Sequence, residues 1–268
     1  MALLEGKKGI VTGVVNEYSF AYHILKQLLA SKAEVGLAYL PAKAVERRVK
    51  NTAEQEGISF TCPMDARSDE SIQAGFKAIE DHFGSIDFFV HSIAFANLED
   101  LEGRFIDTTR EGFDVAMEVS AYSLIPMARE AARIMPAGGS MVTLSYLGGE
   151  RVIPNYNVMG VAKAALEASV RYLAYDLGPQ GIRVNAISAG PQKTLASSAV
   201  GNIEEMIDFT AKVSPMKRNI EGKEVGDSSL YLLSDLSSGV TGEVIHVDCG
   251  FSIMGAPSLK SFSGDSPS

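Results

Sequence analysis

Gly9-Ile-Val-Thr-Gly13-Val-Val-Asn-Glu-Tyr-Ser19-Phe-Ala-Tyr-His-Ile-Leu-Lys-Gln-Leu-Leu-Ala30-Ser-Lys-Ala-Glu34-Val-Gly-Leu-Ala-Tyr39 is the stretch on which the fold turns. A short β-branched run, Gly9 to Gly13, is followed by a helical stretch from Ser19 to Ala30 and a second short apolar run from Glu34 to Tyr39. Strand, helix and strand of these lengths make a βαβ unit, whose strands lie parallel. The same rhythm continues outward. A charged helical stretch occupies Ala44 to Glu56, a third strand is expected over Ile58-Ser-Phe-Thr-Cys62, and an amphipathic helix over Asp69 to Phe83. Further strands are expected at Ile86–Ser92, Ser140–Ser145, Ile182–Ile187 and Val244–Val247. Seven strands in this rhythm predict an α/β fold: a single Rossmann-like, doubly wound domain with a parallel sheet and helices on both faces. The domain is expected to span residues 1–255, with the Ser-rich segment 256–268 as a mobile tail.

The composition bounds what such a domain can do. Its 268 residues are enough for one large core, and 46% apolar with 21% charged residues is ordinary for a globular protein. A net charge of −9 argues against an extended nucleic-acid surface, which needs a basic face to neutralise phosphates. Cys62 and Cys249 fit no metal-ligand spacing and are expected to be buried free thiols in a reducing compartment. Met1 to Lys8 does not read as a secretory signal. Apolar runs such as Phe88 to Ala96 reach about half the ~20 residues of a membrane helix. A cytoplasmic location without membrane insertion is expected.

In a doubly wound sheet, ligands sit beyond the carboxyl ends of the strands, so the residues just after each strand carry the functional reading. Between the first strand and helix, Gly13 suits a tight turn, Ser19 a helix cap, and Ala21 a close backbone approach. A pyrophosphate would meet helix amides there. The usual G-x-G-x-x-G is absent, because Val15 and Tyr18 stand at the later glycine positions. The segment therefore reads equally as an ordinary loop with a serine cap. Asp65 reads either as an acceptor for an adenine amino group or as a solvated cap, and Ile93 and Ala94 either flank a ribose or pack in the core.

Tyr156 and Lys163 are seven apart, two turns on one helical face, in a stretch that Gly178-Pro179 stops. A phenol beside an ammonium at a cofactor crevice suits reduction, since hydride arrival leaves negative charge on a substrate oxygen. The same spacing also occurs between residues that only pack. The Ser-x12-Tyr-x3-Lys pattern of carbonyl-reducing short-chain dehydrogenases is missing here: Gly160 stands four after Tyr156, and Thr143 thirteen before it. Tyr22/Lys26 and Tyr39/Lys43 have the shorter spacing but lack the upstream serine.

Leu144-Ser-Tyr146-Leu-Gly-Gly-Glu-Arg-Val-Ile-Pro-Asn-Tyr156-Asn-Val-Met-Gly-Val-Ala-Lys163 resembles the enoyl-acyl-carrier-protein reductases of bacterial-type fatty-acid synthesis, a divergent branch of the short-chain dehydrogenases. Their mark is Tyr-x6-Lys with a second tyrosine ten residues earlier. Gly13-x5-Ser19-x-Ala21, Val90-His-Ser-Ile-Ala-Phe-Ala96, Asn185-Ala-Ile-Ser-Ala-Gly-Pro191 and Gly242-Glu-Val-Ile-His-Val-Asp248 carry the resemblance along nearly the whole chain.

The resemblance implies reduction of a trans-2-enoyl thioester by NADH, the last step of the elongation cycle, with NADPH as an alternative cofactor. It implies Tyr156 as donor to the enolate, Lys163 as ribose ligand and Tyr146 as second active-site tyrosine. Gly13, Ser19, Phe20, Leu40, Asp65, Ala66, Ile93, Lys163 and the run Gln192, Lys193, Thr194, Leu195, Ala196 would contact the dinucleotide, and Ala96, Tyr146 and Tyr156 the substrate. Leu195 to Asp208 resembles the family's mobile loop over the acyl chain. The acidic acyl-carrier protein would meet Lys193, Lys212, Lys217 and Arg218, which read equally as a solvated basic edge. A homotetramer is implied by the family alone.

Two positions depart from the family pattern. Gln192 replaces an aliphatic residue at the nicotinamide end, and Leu40-Pro41 leaves no carboxylate for a ribose 2′-hydroxyl, while Lys43, Arg47 and Arg48 follow. His91 and His246 are expected to be packed structural residues. A carbonyl reductase and a catalytically silent nucleotide-binding homologue are the alternative readings.

Overall fold

A computed structural model of the chain describes residues 2–193 and 203–256. β1 (Lys8–Thr12), β2 (Glu34–Tyr39), β3 (Thr61–Pro63), β4 (Phe88–His91), β5 (Ser140–Ser145), β6 (Arg183–Ala189) and β7 (Val244–Val247) form one sheet in the order β3-β2-β1-β4-β5-β6-β7. Every neighbouring pair is parallel. The winding reverses between β1 and β4, which makes the crevice beyond their carboxyl ends the topological switch point.

Alternation along the central strands splits the interior into two cores. Ile10, Phe89, Met141, Val184 and Ala186 face α3 (Asp69–Phe83), α5 (Leu124–Arg133) and α6 (Asn157–Leu177). Val11, Phe88, Val90, Val142, Ile187 and Ala189 face α1 (Phe20–Ala30), α2 (Lys43–Glu56) and α8 (Gly222–Leu233). Each fully buried Phe, Ile or Leu contributes about 1.5–3 kcal/mol relative to exposure, which is why this strand pattern selects two covered faces. Cys62 and Cys249 are buried in different cores, so the sheet separates them. Among the described residues, no helix is long and apolar enough to cross a membrane.

Several elements differ from the sequence expectation. β3 starts at Thr61 rather than Ile58 and takes in Pro63. It pairs only with β2, so it is an edge strand, where a residue without an N–H is tolerated. A five-residue π-helical turn, Glu118–Tyr122, joins α4 (Arg110–Met117) to α5. α7 (Ile203–Val213) covers part of the segment expected as a loop from Leu195 to Asp208; residues 194–202 lie outside the described ones. α8 contains Gly222 and Gly226, both poor helix formers. Their lack of side chains lets α1 approach: a Cβ at 222 would stand 2.1 Å from His23 Cδ2, and one at 226 would stand 2.6 Å from the His23 carbonyl oxygen. Except for Ala256, the expected mobile tail also lies outside the described residues.

Candidate active site

The first βα loop is locked to the end of β4. Thr12 Oγ1 donates to the Val90 carbonyl at 3.0 Å and accepts from the Ser92 N–H at 3.0 Å. Gly13 follows with φ +79°, and a Cβ there would lie 1.8 Å from the Ser92 carbonyl oxygen. No other residue type satisfies both demands. Ser19 caps α1, with its hydroxyl oxygen accepting from the Tyr22 N–H at 3.3 Å. The first turn of α1 has no acidic side chain. A helix start of this kind, opened by a glycine that turns the chain against its neighbour, suits the phosphates of a dinucleotide.

Because all strands run the same way, the described cofactor candidates gather on one edge of the sheet. Gly13 follows β1, Leu40 follows β2, Asp65 and Ala66 follow β3, Ile93 and Ala96 follow β4, Tyr146 follows β5, and Gln192 and Lys193 follow β6. Thr194, Leu195 and Ala196 lie outside the described residues. Leu40 is exposed, and the next acid in sequence, Glu46, is paired with Lys50 at 2.6 Å. Burial works against the Asp65 carboxylate, but hydrogen bonds from the Arg67 backbone and guanidinium prevail and hold it below the usual range. The Gln192 amide nitrogen lies 3.4 Å from His23 Nε2, so this departure from the family pattern turns its side chain towards α1.

The centre of the site is the seam between β5 and α6. Gly148 lies under the Tyr156 ring, where a Cβ would stand 2.3 Å from Cδ1. Gly160 lies against the Gly148 carbonyl, at 2.7 Å from a notional Cβ. A side chain four residues after Tyr156 would therefore meet backbone, and the lysine on this face of the helix is Lys163. Lys163 is buried, and its Nζ donates to the Leu144 carbonyl at 2.7 Å. One turn later, the buried carboxylate of Glu167 accepts a hydrogen bond from Ser145 Oγ.

Tyr156 is the residue that caps α6 rather than a member of its first turn. Asn155 and Asn157 flank it at φ +61° and φ +28°, in the left-handed region that asparagine tolerates better than most side chains. Asn157 Nδ2 donates to the carbonyls of Glu102 and Gly103, each at 3.3 Å. The rings of Tyr146 and Tyr156 meet edge to face, with centroids 4.9 Å apart. Tyr146 Oη donates to Met206 Sδ at 3.2 Å, bringing α7 over the pair. Ala96 packs with Tyr156, Leu101, Ala116, Val158 and Met159 in an apolar wall.

Burial sets the protonation of these groups. It raises both phenols, Tyr146 to about 12, and Tyr146 and Glu167 push Tyr156 further in the same direction. Both are therefore O–H donors at neutral pH. Burial lowers Lys163 to about 8, with Glu167 pulling it back up. Among the described residues, the Tyr156 hydroxyl has no hydrogen-bond partner, so a proton donor stands ready beside the apolar wall.

His91 is structural, as expected: it is buried between Thr143 Oγ1 at 3.0 Å and Ser123 Oγ at 2.9 Å, and burial lowers its pKa to about 3. His246 is not packed. It is exposed on β7 and lies 2.7 Å from Glu150, because a strand with a solvent-facing side leaves that ring in water. Glu167, Ser145, Met206 and Gly148 were absent from the sequence-derived site.

The chain matches the family model described as Enoyl-(Acyl carrier protein) reductase over residues 13–252. It is 49% identical over 257 residues to the enoyl-acyl-carrier-protein reductase (NADH) FabI of Rickettsia typhi, covering 96% of this chain and 98% of that one. The corresponding Nostoc protein is 50% identical, with 95% and 100% covered. Among solved structures, the Anaplasma phagocytophilum reductase in complex with NAD superposes with a TM-score of 0.91 at 46% identity, covering 96% of both chains. The Bacillus cereus reductase with NADP+ and an indole naphthyridinone gives 0.93 at 48% identity, covering 96% of this chain and 100% of that one.

Proposed function

The chain belongs to the enoyl-(acyl carrier protein) reductase family, and from that premise we propose that it reduces the carbon–carbon double bond of a trans-2-enoyl thioester carried by acyl-carrier protein, using NADH. The observation that carries this reading is the Tyr156 hydroxyl, protonated, without a partner among the described residues, and next to a second half-buried phenol. When bound, reduced nicotinamide would supply hydride to the β-carbon, and a proton from solvent would complete the saturated product at the α-carbon. Between the two steps, negative charge develops on the thioester oxygen, and a pre-placed O–H stabilises it without reorganisation. Tyr156 donates there, and Tyr146 closes the acyl side with Met206. Lys163, held by Leu144, presents its ammonium to the ribose hydroxyls. Gly13, Ser19 and Phe20 hold the phosphates, Leu40, Asp65, Ala66 and Ile93 line the adenosine side, and residues 192–196 hold the nicotinamide end.

NADH is the cofactor that the names of the relatives specify. The Leu40-Pro41 end of β2 offers no carboxylate to a 2′-hydroxyl, so parallel assays with NADPH measure how strongly the chain prefers NADH. The carrier protein is acidic. Lys193 is paired with Glu204 and Arg218 with Glu224, which leaves Lys212 and Lys217 of the four basic candidates outside ion pairs among the described residues. We place the enzyme in the cytoplasm as a homotetramer, with one domain spanning 1–255. Exposed Val161, Tyr172 and Tyr175 on α6 and Tyr122 and Ile125 near α5 support subunit contact.

The test is loss of NADH absorbance with crotonyl-CoA and, separately, with acetoacetyl-CoA. Oxidation with the enoyl substrate alone is expected; turnover of only the ketone would sink the reading. Lys163→Ala is expected to raise the NADH dissociation constant about 10–100-fold, the order of the ~1.5–3 kcal/mol that hydrogen bonding to a charged group contributes. An unchanged constant would remove Lys163 from the ribose site.

A further inference from the structure

A buried carboxylate needs a reason, because taking a charge out of water costs several kcal/mol unless partners replace the water. Glu167 is only 5% exposed, in the middle of α6, where an apolar side chain would pack at no such cost. The fold makes room for it. A Cβ at Gly149 would stand 2.8 Å from Glu167 Oε1, so position 149 is glycine on the side that faces the acid. Ser145, the last residue of β5, donates its hydroxyl to that carboxylate. The residue before it, Leu144, takes the Lys163 ammonium. Two consecutive residues at the end of one strand thus hold two charged groups of one helix, four residues apart and on one face.

We propose that Glu167 is a positioning residue of the reductase: held by Ser145, its carboxylate stands one turn along the same face of α6 from Lys163 and supports the ammonium that Leu144 holds for binding the ribose hydroxyls. The proposal rests on the reductase reading and extends it to a residue that touches neither substrate nor cofactor.

The surrounding charges agree. Lys163 faces His91 from β4, whose charged form burial disfavours, and Glu167 from its own helix. Glu167 faces Arg171 on α6, Glu150 after β5 and His246 on β7. Burial raises its pKa most, Glu150 adds to that, and the Ser145 hydrogen bond, Arg171 and His246 favour the ionised form. Glu150 is itself held by His246 at 2.7 Å, which blunts its repulsion.

The sign follows from Lys163. Burial lowers its pKa to about 8 while Glu167 raises it, so the ammonium is present below that pH and lost above it. Without the Glu167 charge, the loss begins at lower pH.

The experiment is titration of NADH into the full-length protein from pH 6.5 to 9.5, followed by nicotinamide fluorescence. Wild type is expected to lose affinity through about pH 8. Glu167→Gln is expected to bind equally at the acid end but to lose affinity about half a pH unit earlier, about twofold weaker at pH 8 and about threefold weaker above pH 9. Glu167→Asp, which keeps the charge, should restore the midpoint towards wild type. Glu167→Met, which fills the same buried space without charge, reads the same shift should the Gln variant fail to fold. An unmoved midpoint, or a uniform loss at every pH, overturns the proposal. Failure of the crotonyl-CoA assay on unaltered protein is a separate result, because this titration reads binding alone.

Discussion

Tyr156→Phe lowers kcat for enoyl-thioester reduction by about 10²–10⁴-fold and leaves the NADH dissociation constant within about threefold of wild type. The variant removes one oxygen and keeps the ring, so the seat on Gly148, the edge-to-face contact with Tyr146 and the packing against Ala96 and Met159 remain. What disappears is the O–H that meets developing charge. Because burial holds the phenol protonated throughout the neutral range, the loss should be nearly constant from pH 6 to 8 in stopped-flow or steady-state assays. Equal rates for wild type and variant would take Tyr156 out of the mechanism. A fall in cofactor affinity as large as the fall in kcat would show that the ring, rather than the hydroxyl, is what matters.

Gly148→Ala should cost nearly as much turnover, although the residue bears no functional group. Its new methyl would lie 2.3 Å from Tyr156 Cδ1, far inside the ~3.5 Å at which carbon atoms meet. The seam cannot open without shifting Gly160, which abuts the Gly148 carbonyl. The ring therefore moves, and a displacement of about 1 Å at a reacting group costs about 10²-fold. Added to Tyr156→Phe, the substitution should lower kcat by no more than about threefold further, since both act through one hydroxyl. Wild-type kcat in Gly148→Ala, or full multiplication of the two losses, would show that the seat does not govern the tyrosine.

The strands and the strand-end residues were legible because their signals are local. β2, β5, β7 and α3 have the bounds expected for them, marked by β-branched runs or by a cap such as Ser68, whose hydroxyl accepts from the Ser71 N–H at 3.1 Å. In a parallel sheet, the chain positions after such strands converge without further information, so Gly13, Asp65 and Ile93 could be named from order alone, whereas Ala96 and Tyr146 came from the family resemblance. Glu167 could not. In Ala-Ala-Leu-Glu-Ala-Ser it reads as part of a solvated helix face, and only the path of residues 144–149 over α6 buries it. Met206 was hidden in a stretch that resembles a loop, and α8 by two glycines that lower helix propensity while permitting the approach of α1. Tyr156 was assigned to the helix rather than to its cap, because the left-handed residues on either side of it leave no periodic trace.

The bond from Lys163 to Leu144 has a consequence that follows from counting. An ammonium carries three N–H donors. Leu144 takes one, and it is the only hydrogen bond that Nζ makes among the described residues. Two donors remain, which matches the two vicinal hydroxyls of a ribose ring. On the proposed ribose role, this one backbone carbonyl sets the valency of the lysine, leaving it two prongs with which to read a diol. A sugar lacking one hydroxyl would leave one prong buried and unanswered.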